Sequence, residues 1–152
     1  MSSESKVLKI TPQQAKRAIA VLMKSKIPPV LVGPVGCGKT TAIEDFVSAL
    51  NKNGINAVLE TRILSQMDIS NFSLPKEIEG RVHEVCAEWI PLEKDAKDDD
   101  PLTVIFFDEL DRCDQMLQNV ILNILLGRKI ANEKISDKVV FVGAMNGSSD
   151  MY

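Results

Sequence analysis

Apolar and polar positions change their period several times along the chain, and each change marks an element. After Thr11 and Pro12, apolar residues recur at Ala15, Ala18, Ile19, Leu22 and Met23, the spacing of one helical face. Thr11 and Gln14 stand in the capping-box relation and Pro12 suits the first helical position, so the helix starts there; Pro28 and Pro29 stop the pattern. Val30, Leu31 and Val32 form a short continuous apolar run, a predicted buried strand. A second helix follows through Phe46, Val47 and Leu50 and stops at Gly54. A second strand is predicted over residues 57–61, whereas residues 65–75 lack a period and read as loop with one turn of helix. Glu79-Gly80, lying between Ile78 and Val82, predicts a hairpin tip. Residues 93–100 are strongly charged and read as a solvated loop. Residues 102–107 are apolar but for Thr103, a predicted third buried strand. Asp114 can then cap a helix bearing Leu117, Val120, Ile121, Ile124 and Leu125, ended by Gly127, and residues 139–142 form a fourth strand.

Strands that alternate with helices, and that are apolar runs instead of period-two patterns, predict an α/β fold whose parallel sheet is covered on both faces. The 152 residues suit one domain over 1–152 with one sizeable core. The formal net charge of -3 gives no reason to expect nucleic acid or an anionic membrane as partner. No apolar run reaches the roughly 18 residues that span a bilayer, and residues 1–9 contain no apolar stretch of a secretory leader. Cys37, Cys86 and Cys113 are odd in number and widely spaced, which fits neither a disulfide framework nor a zinc site and points to a reducing, cytoplasmic location.

The segment Gly33-Pro34-Val35-Gly36-Cys37-Gly38-Lys39-Thr40 matches the phosphate-loop pattern G-x-x-x-x-G-K-[ST] in full. Its glycines adopt backbone angles closed to other residues and let several N–H groups turn toward one anion. The helix that starts near Gly38 adds its positive end. Lys39 supplies a full charge to the β- and γ-phosphates, and the Thr40 hydroxyl is a hard ligand for magnesium. Thr41, next in line, joins the nucleotide-binding set. The loop lies between an apolar strand and an amphipathic helix, as this chemistry requires. Cys37 sits inside it, either as a small tolerated residue or as a thiol made reactive by the helix end.

The third strand ends in Asp108 and Glu109, and the fourth in Asn146. In an open parallel sheet, ligands bind at the carboxyl ends of the strands. Asp108 is placed to hold magnesium through a water, and Glu109 to polarise the water that attacks the γ-phosphate. Asn146 is placed to hydrogen-bond that phosphate or that water, or else is simply a turn residue before Gly147.

In this order the parts resemble the AAA+ ATPases: the phosphate loop, the Walker B strand ending Phe107-Asp108-Glu109, and sensor 1 at Asn146. Within that superfamily the chain looks most like the MoxR-type group, through Asp108-Glu109-Leu110-Asp111-Arg112, Leu74-Pro75 followed by Glu79-Gly80-Arg81-Val82, and Glu88-Trp89-Ile90-Pro91. The resemblance implies a three-layer αβα P-loop core with strand order 5-1-4-3-2, and ATP with magnesium as ligands. It also implies hydrolysis in an oligomeric ring that remodels a protein partner, with the Gly80 hairpin directed at a pore or substrate. The choice of ATP over GTP rests on this resemblance alone. Such a module continues into a fifth strand and a helical lid with a sensor-2 arginine, for which residues 147–152 have no room. The expectation is a domain truncated after sensor 1: either the sequence is a fragment, or a complementary AAA+ chain supplies the rest, or the protein is a minimal nucleotide binder, and the missing fifth strand would leave the Val30 strand as an apolar edge. Arg112 and Arg128 are candidates for a subunit interface. His83 reads as a hairpin surface residue and Trp89 as packing. The competing readings are a nucleotide-binding interaction module that hydrolyses little unless a partner completes the site, and a phosphotransferase, which Glu109 argues against.

Overall fold

The computed structural model describes residues 9–147 of the chain. The expectations about a leader in residues 1–8 and about a lid after residue 147 therefore fall outside the described residues. Helix α1 spans Pro12–Lys24 and begins as the capping box requires: the Thr11 hydroxyl accepts from the Gln14 N–H (3.3 Å), and Gln14 Oε1 accepts from the Thr11 N–H (2.8 Å). Strand β1 (Val30–Val32) leads into helix α2 (Lys39–Lys52), and β2 (Ala57–Ile63) follows. Two short 3₁₀ turns precede a hairpin of β3 (Ser73–Ile78) and β4 (Arg81–Cys86). Strand β5 (Leu102–Asp108) is followed by helix α3 (Gln115–Gly127), whose N-cap Asp114 accepts from the Leu117 N–H at 2.8 Å. A small hairpin of β6 (Lys129–Ile130) and β7 (Glu133–Lys134) precedes β8 (Val139–Met145).

The four long-range strands form one parallel sheet in the order β1-β8-β5-β2. Its two central strands are buried on both faces, which is why they read as apolar runs. Alternate residues of β5 separate the two cores. Val104 and Phe106 pack with Ile19, Ile43, Phe46 and Val47 of α1 and α2. Ile105 and Phe107 pack with Leu117, Ile121, Ile124 and Leu125 of α3. Helices thus cover both faces, and the fold is the three-layer α/β parallel-sheet core expected. No helix among the described residues is long and apolar enough to cross a membrane.

Three stretches depart from the pattern reading. Residues 73–75, assigned to loop, are the start of β3; this strand is exposed on both faces, so no burial contrast marks it. The β6–β7 hairpin was not anticipated, because its turn places Ala131 (φ 49°) and Asn132 (φ 61°) in the left-handed region without a glycine to announce it. Strand β8 runs three residues past Val142. Gly143 lies inside it because a Cβ there would stand 2.5 Å from Leu110 Cδ1 and 3.3 Å from Val30 Cγ2. The glycine lets Leu110 lie against the sheet, which brings the chain after β5 onto the end of β8.

Candidate nucleotide site

The parallel register brings the three motifs to one level. Val32 is paired with Met145 and Gly143 with Phe107, so β1, β8 and β5 deliver Gly33, Asn146 and Asp108 to the same edge of the sheet. Backbone bonds hold the strand exits together: the Gly33 N–H donates to Met145 O (3.2 Å) and the Leu110 N–H to Ala144 O (3.0 Å). The Asn146 N–H donates to Asp111 Oδ1 at 3.2 Å.

The loop from Gly33 to Gly38 folds as its glycines permit. Gly36 (φ 79°) and Gly38 (φ 88°) occupy left-handed conformations, and an added Cβ at either would meet nothing within 4 Å, so the requirement there is backbone angle and not space. Gly33 is different: its Cβ would stand 2.7 Å from Cys37 Sγ, so the thiol occupies the room that the missing side chain leaves. From the first turn of α2, the Lys39 ammonium donates to Gly33 O (2.6 Å), Pro34 O (3.0 Å) and Asn146 Oδ1 (3.2 Å). One cation therefore links the phosphate loop to the end of β8.

Thr40 and Asp108 stand side by side in the cleft, the Thr40 hydroxyl 3.5 Å from Asp108 Oδ2. These two hard oxygens on one wall fit magnesium, which is commonly held by one or two protein oxygens with phosphates and waters completing the shell. Among the described residues no group of three or more His, Cys, Asp or Glu side chains forms a metal cage. Asp108 Oδ1 also accepts from the Glu109 N–H at 2.8 Å. That bond supports Glu109 in a left-handed conformation (φ 57°) that a non-glycine residue adopts at a cost of about 1–2 kcal/mol. The turn throws the Glu109 carboxylate toward the Ser65 hydroxyl, which donates to it, and toward Arg112 Nη1 at 3.1 Å.

Two cavities flank the phosphate loop. One, of about 330 Å³, is lined by Val35, Thr41, Lys39, Thr40, Asp108 and Glu109, with Asn146 at its end. The other, of about 320 Å³, lies on the far side of the loop between Pro34, Leu31 and Ala42 and the start of α1 at Ile10, Thr11 and Ala15. Each of the sequence-selected site residues lines one or both of these two cavities. The pattern reading missed Ser65, which lies in a stretch with no period and carried no signal. It also missed Asp111 as the anchor of Asn146, although the residue stands in the run Asp108-Glu109-Leu110-Asp111-Arg112. Ile10 and Thr11 were read only as a helix start.

Other singled-out residues lie elsewhere. Arg128, a candidate for a subunit interface, is instead committed inside the fold: its Nη2 donates to Ser136 O (2.9 Å) and Val139 O (2.8 Å), and its guanidinium lies 5.5 Å from the Phe141 ring centre. Arg112 faces Glu109 and remains half-exposed. His83 is exposed on β4. Trp89 packs edge-on against Phe72 at 5.3 Å and donates from Nε1 to Asn71 O.

The cysteines separate by environment. Burial pushes the Cys86 thiol up to about 11 and raises Cys113 as well, while Cys37 is exposed in the loop. Iodoacetamide near pH 8 is expected to label Cys37 first, and magnesium–ATP to slow that labelling while leaving Cys86 and Cys113 unaffected. Intact-mass and peptide mass spectrometry would check both. Labelling of Cys37 at the same rate with and without nucleotide would place the ligand away from this loop.

A family model described as "ATPase family associated with various cellular activities (AAA)" matches residues 29–151. Similar curated proteins include the ATP-dependent Clp protease ATP-binding subunit ClpL of Staphylococcus aureus strains USA300 and COL. Each is 28% identical over 87 residues, covering 57% of this chain and 12% of the relative. The chain thus spans only about an eighth of the length of those relatives. Among solved structures, the crystal structure of NtrX from Brucella abortus aligns with a TM-score of 0.55 at 15% identity, covering 96% of this chain and 32% of that one. At that identity the likeness concerns the fold.

Proposed function

We propose, from the premise that the chain belongs to the ATPase family associated with various cellular activities (AAA), that it binds ATP with magnesium and hydrolyses it. The observation that carries this reading is the convergence of Lys39, Thr40, Asp108, Glu109 and Asn146 on one cleft at the carboxyl edge of a parallel sheet. The N–H groups of Val35, Gly36 and Gly38 and the Lys39 ammonium hold the triphosphate tail, and the cavity beside Ile10, Leu31 and Ala42 takes the base. Thr40 and Asp108 would hold the magnesium ion, which when bound neutralises phosphate charge. Glu109 accepts a proton from the attacking water as its oxygen bonds to the γ-phosphorus and the bond to ADP breaks. Asn146, hydrogen-bonded to Lys39, orients the terminal phosphate.

The finer reading is a MoxR-like AAA+ domain over residues 1–152 that acts in the cytoplasm within a homo-oligomeric ring, or beside a complementary AAA+ chain, and remodels a protein partner. The run Asp108 to Arg112 and the exposed β3–β4 hairpin support the subgroup, and the printed name of the Clp relatives, an ATP-binding subunit of a protease, supports a protein substrate. A ring is further favoured by the site itself. Among the described residues Arg112 is the arginine paired with the site's carboxylates, through Glu109, and an arginine from a neighbouring copy would serve the developing γ-phosphate charge. Native mass measured with and without magnesium–ATP, beside a phosphate-release assay, tests this. Assembly on ATP addition is expected, with turnover per chain rising with chain concentration. A monomer without turnover at any concentration would leave only a nucleotide-binding module, and fast turnover by a monomer would remove the ring.

A further inference from the structure

The β3–β4 hairpin stands out from the body with both faces in solvent: Val82 is 76% exposed and Leu74 54%. A two-stranded hairpin without further strands is marginally stable in water. Its two outer edges are not equivalent. The two-residue turn at Glu79 (φ 52°) and Gly80 (φ 73°) makes Ile78 and Arg81 the closing hydrogen-bonded pair. Counting in twos from there, the backbone groups of Ser73, Pro75 and Glu77 point outward on β3, and those of Val82, Glu84 and Cys86 on β4. Pro75 has no N–H to offer, so the β3 edge is blocked at its middle. The β4 edge carries neither proline nor glycine and presents donors and acceptors along its length.

Beside that open edge runs a cleft of about 510 Å³. It takes four consecutive positions of β4, residues 83–86, but only Ile78 from β3. Its walls carry the carboxylates of Glu84, Glu88, Asp95 and Glu133. Lys94 is the cation among them, and it is already held by Glu133 at 2.7 Å. The Cys86 thiol, pushed up to about 11 by burial, adds no charge at neutral pH. The rest of the lining is apolar at Val85, Ile90 and Leu92, with the His83 imidazole as a further polar side chain. Successive residues of an added strand would face alternately the Glu84 side and the Val85 side.

We propose that the free edge of β4 takes up an extended segment of a protein partner as an added strand, and that the cleft selects segments alternating lysine or arginine with apolar residues. Main-chain bonds supply the affinity, and the carboxylates read the cations. This deepens the remodelling reading by naming the chemistry of the partner, and it rests on that reading for its purpose.

The test uses the full chain and a short fluorescein-labelled peptide alternating lysine and valine, followed by fluorescence anisotropy. Saturable binding is expected, weakened about tenfold or more when glutamate replaces the lysines or when Glu88→Lys and Asp95→Lys are combined. Methylating alternate peptide nitrogens, which removes the pairing N–H groups, is expected to abolish binding. Glu84→Pro should lose more than Glu84→Gln, since only the proline removes the outward N–H. Equal binding of the methylated peptide, or of the glutamate peptide, overturns the proposal, as does a bound fraction of probe that falls as the chain concentration is raised, which would make a second copy the occupant. Phosphate release is measured on the same samples. Turnover without peptide binding sinks this proposal alone, and peptide binding without turnover sinks the hydrolase reading alone.

Discussion

Glu109→Gln is expected to bind magnesium–ATP about as tightly as the parent chain and to release phosphate on the order of 10²–10⁴ times more slowly, the usual contribution of a positioned general base. The separation of the two effects follows from the site. Glu109 touches neither Lys39 nor the phosphate loop; its carboxylate is engaged by Ser65 and Arg112, on the Asp108 side of the cleft. Glutamine keeps the size and an acceptor oxygen for the Ser65 hydroxyl but takes no proton from water at neutral pH. The left-handed turn at residue 109 is held by its own N–H to Asp108, which the substitution leaves in place. Equilibrium binding of a fluorescent ATP analogue and phosphate release under single turnover check the two halves. Unchanged turnover would remove Glu109 from the chemistry, and lost binding would make its role structural.

Lys39→Ala should weaken nucleotide binding on the order of 10²-fold or more, since hydrogen bonds to charged groups contribute about 1.5–3 kcal/mol each and the ammonium is placed to make more than one. A second consequence is visible in the structure. The same ammonium bonds Gly33 O, Pro34 O and Asn146 Oδ1, so its removal also loosens the loop from the end of β8. Isothermal titration calorimetry reads the affinity, and a urea melt of the protein without nucleotide shows whether the fold survives. Retained affinity in a folded variant would defeat the assignment of residues 33–40 as the phosphate site.

Sequence-level reasoning reached furthest where the physics is local. The Thr11–Gln14 box, the left-handed glycines of the phosphate loop and the Asp114 cap are each decided within a few residues, and each takes the expected form. The hairpin tip at Glu79-Gly80 belongs to the same class. Strand extents were less legible. Residues 73–75 bury nothing that would create a period, and Gly143 reads as a strand end until Leu110 is seen lying against it.

What the sequence alone determined is the set of parts: an apolar strand, a glycine-rich loop and a helix in immediate succession, and two more apolar strands ending in Asp108-Glu109 and Asn146. Only the tertiary structure decided that these parts share a cleft. Lys39 and Asn146 are 107 positions apart, and Ser65 and Glu109 are 44 apart, with no local rule linking them. Their meeting depends on parallel strand register and on two apolar cores packed on opposite faces of the sheet. Those are long-range contacts, set by which surfaces exclude water together, and such surfaces carry no mark in the order of residues along the chain.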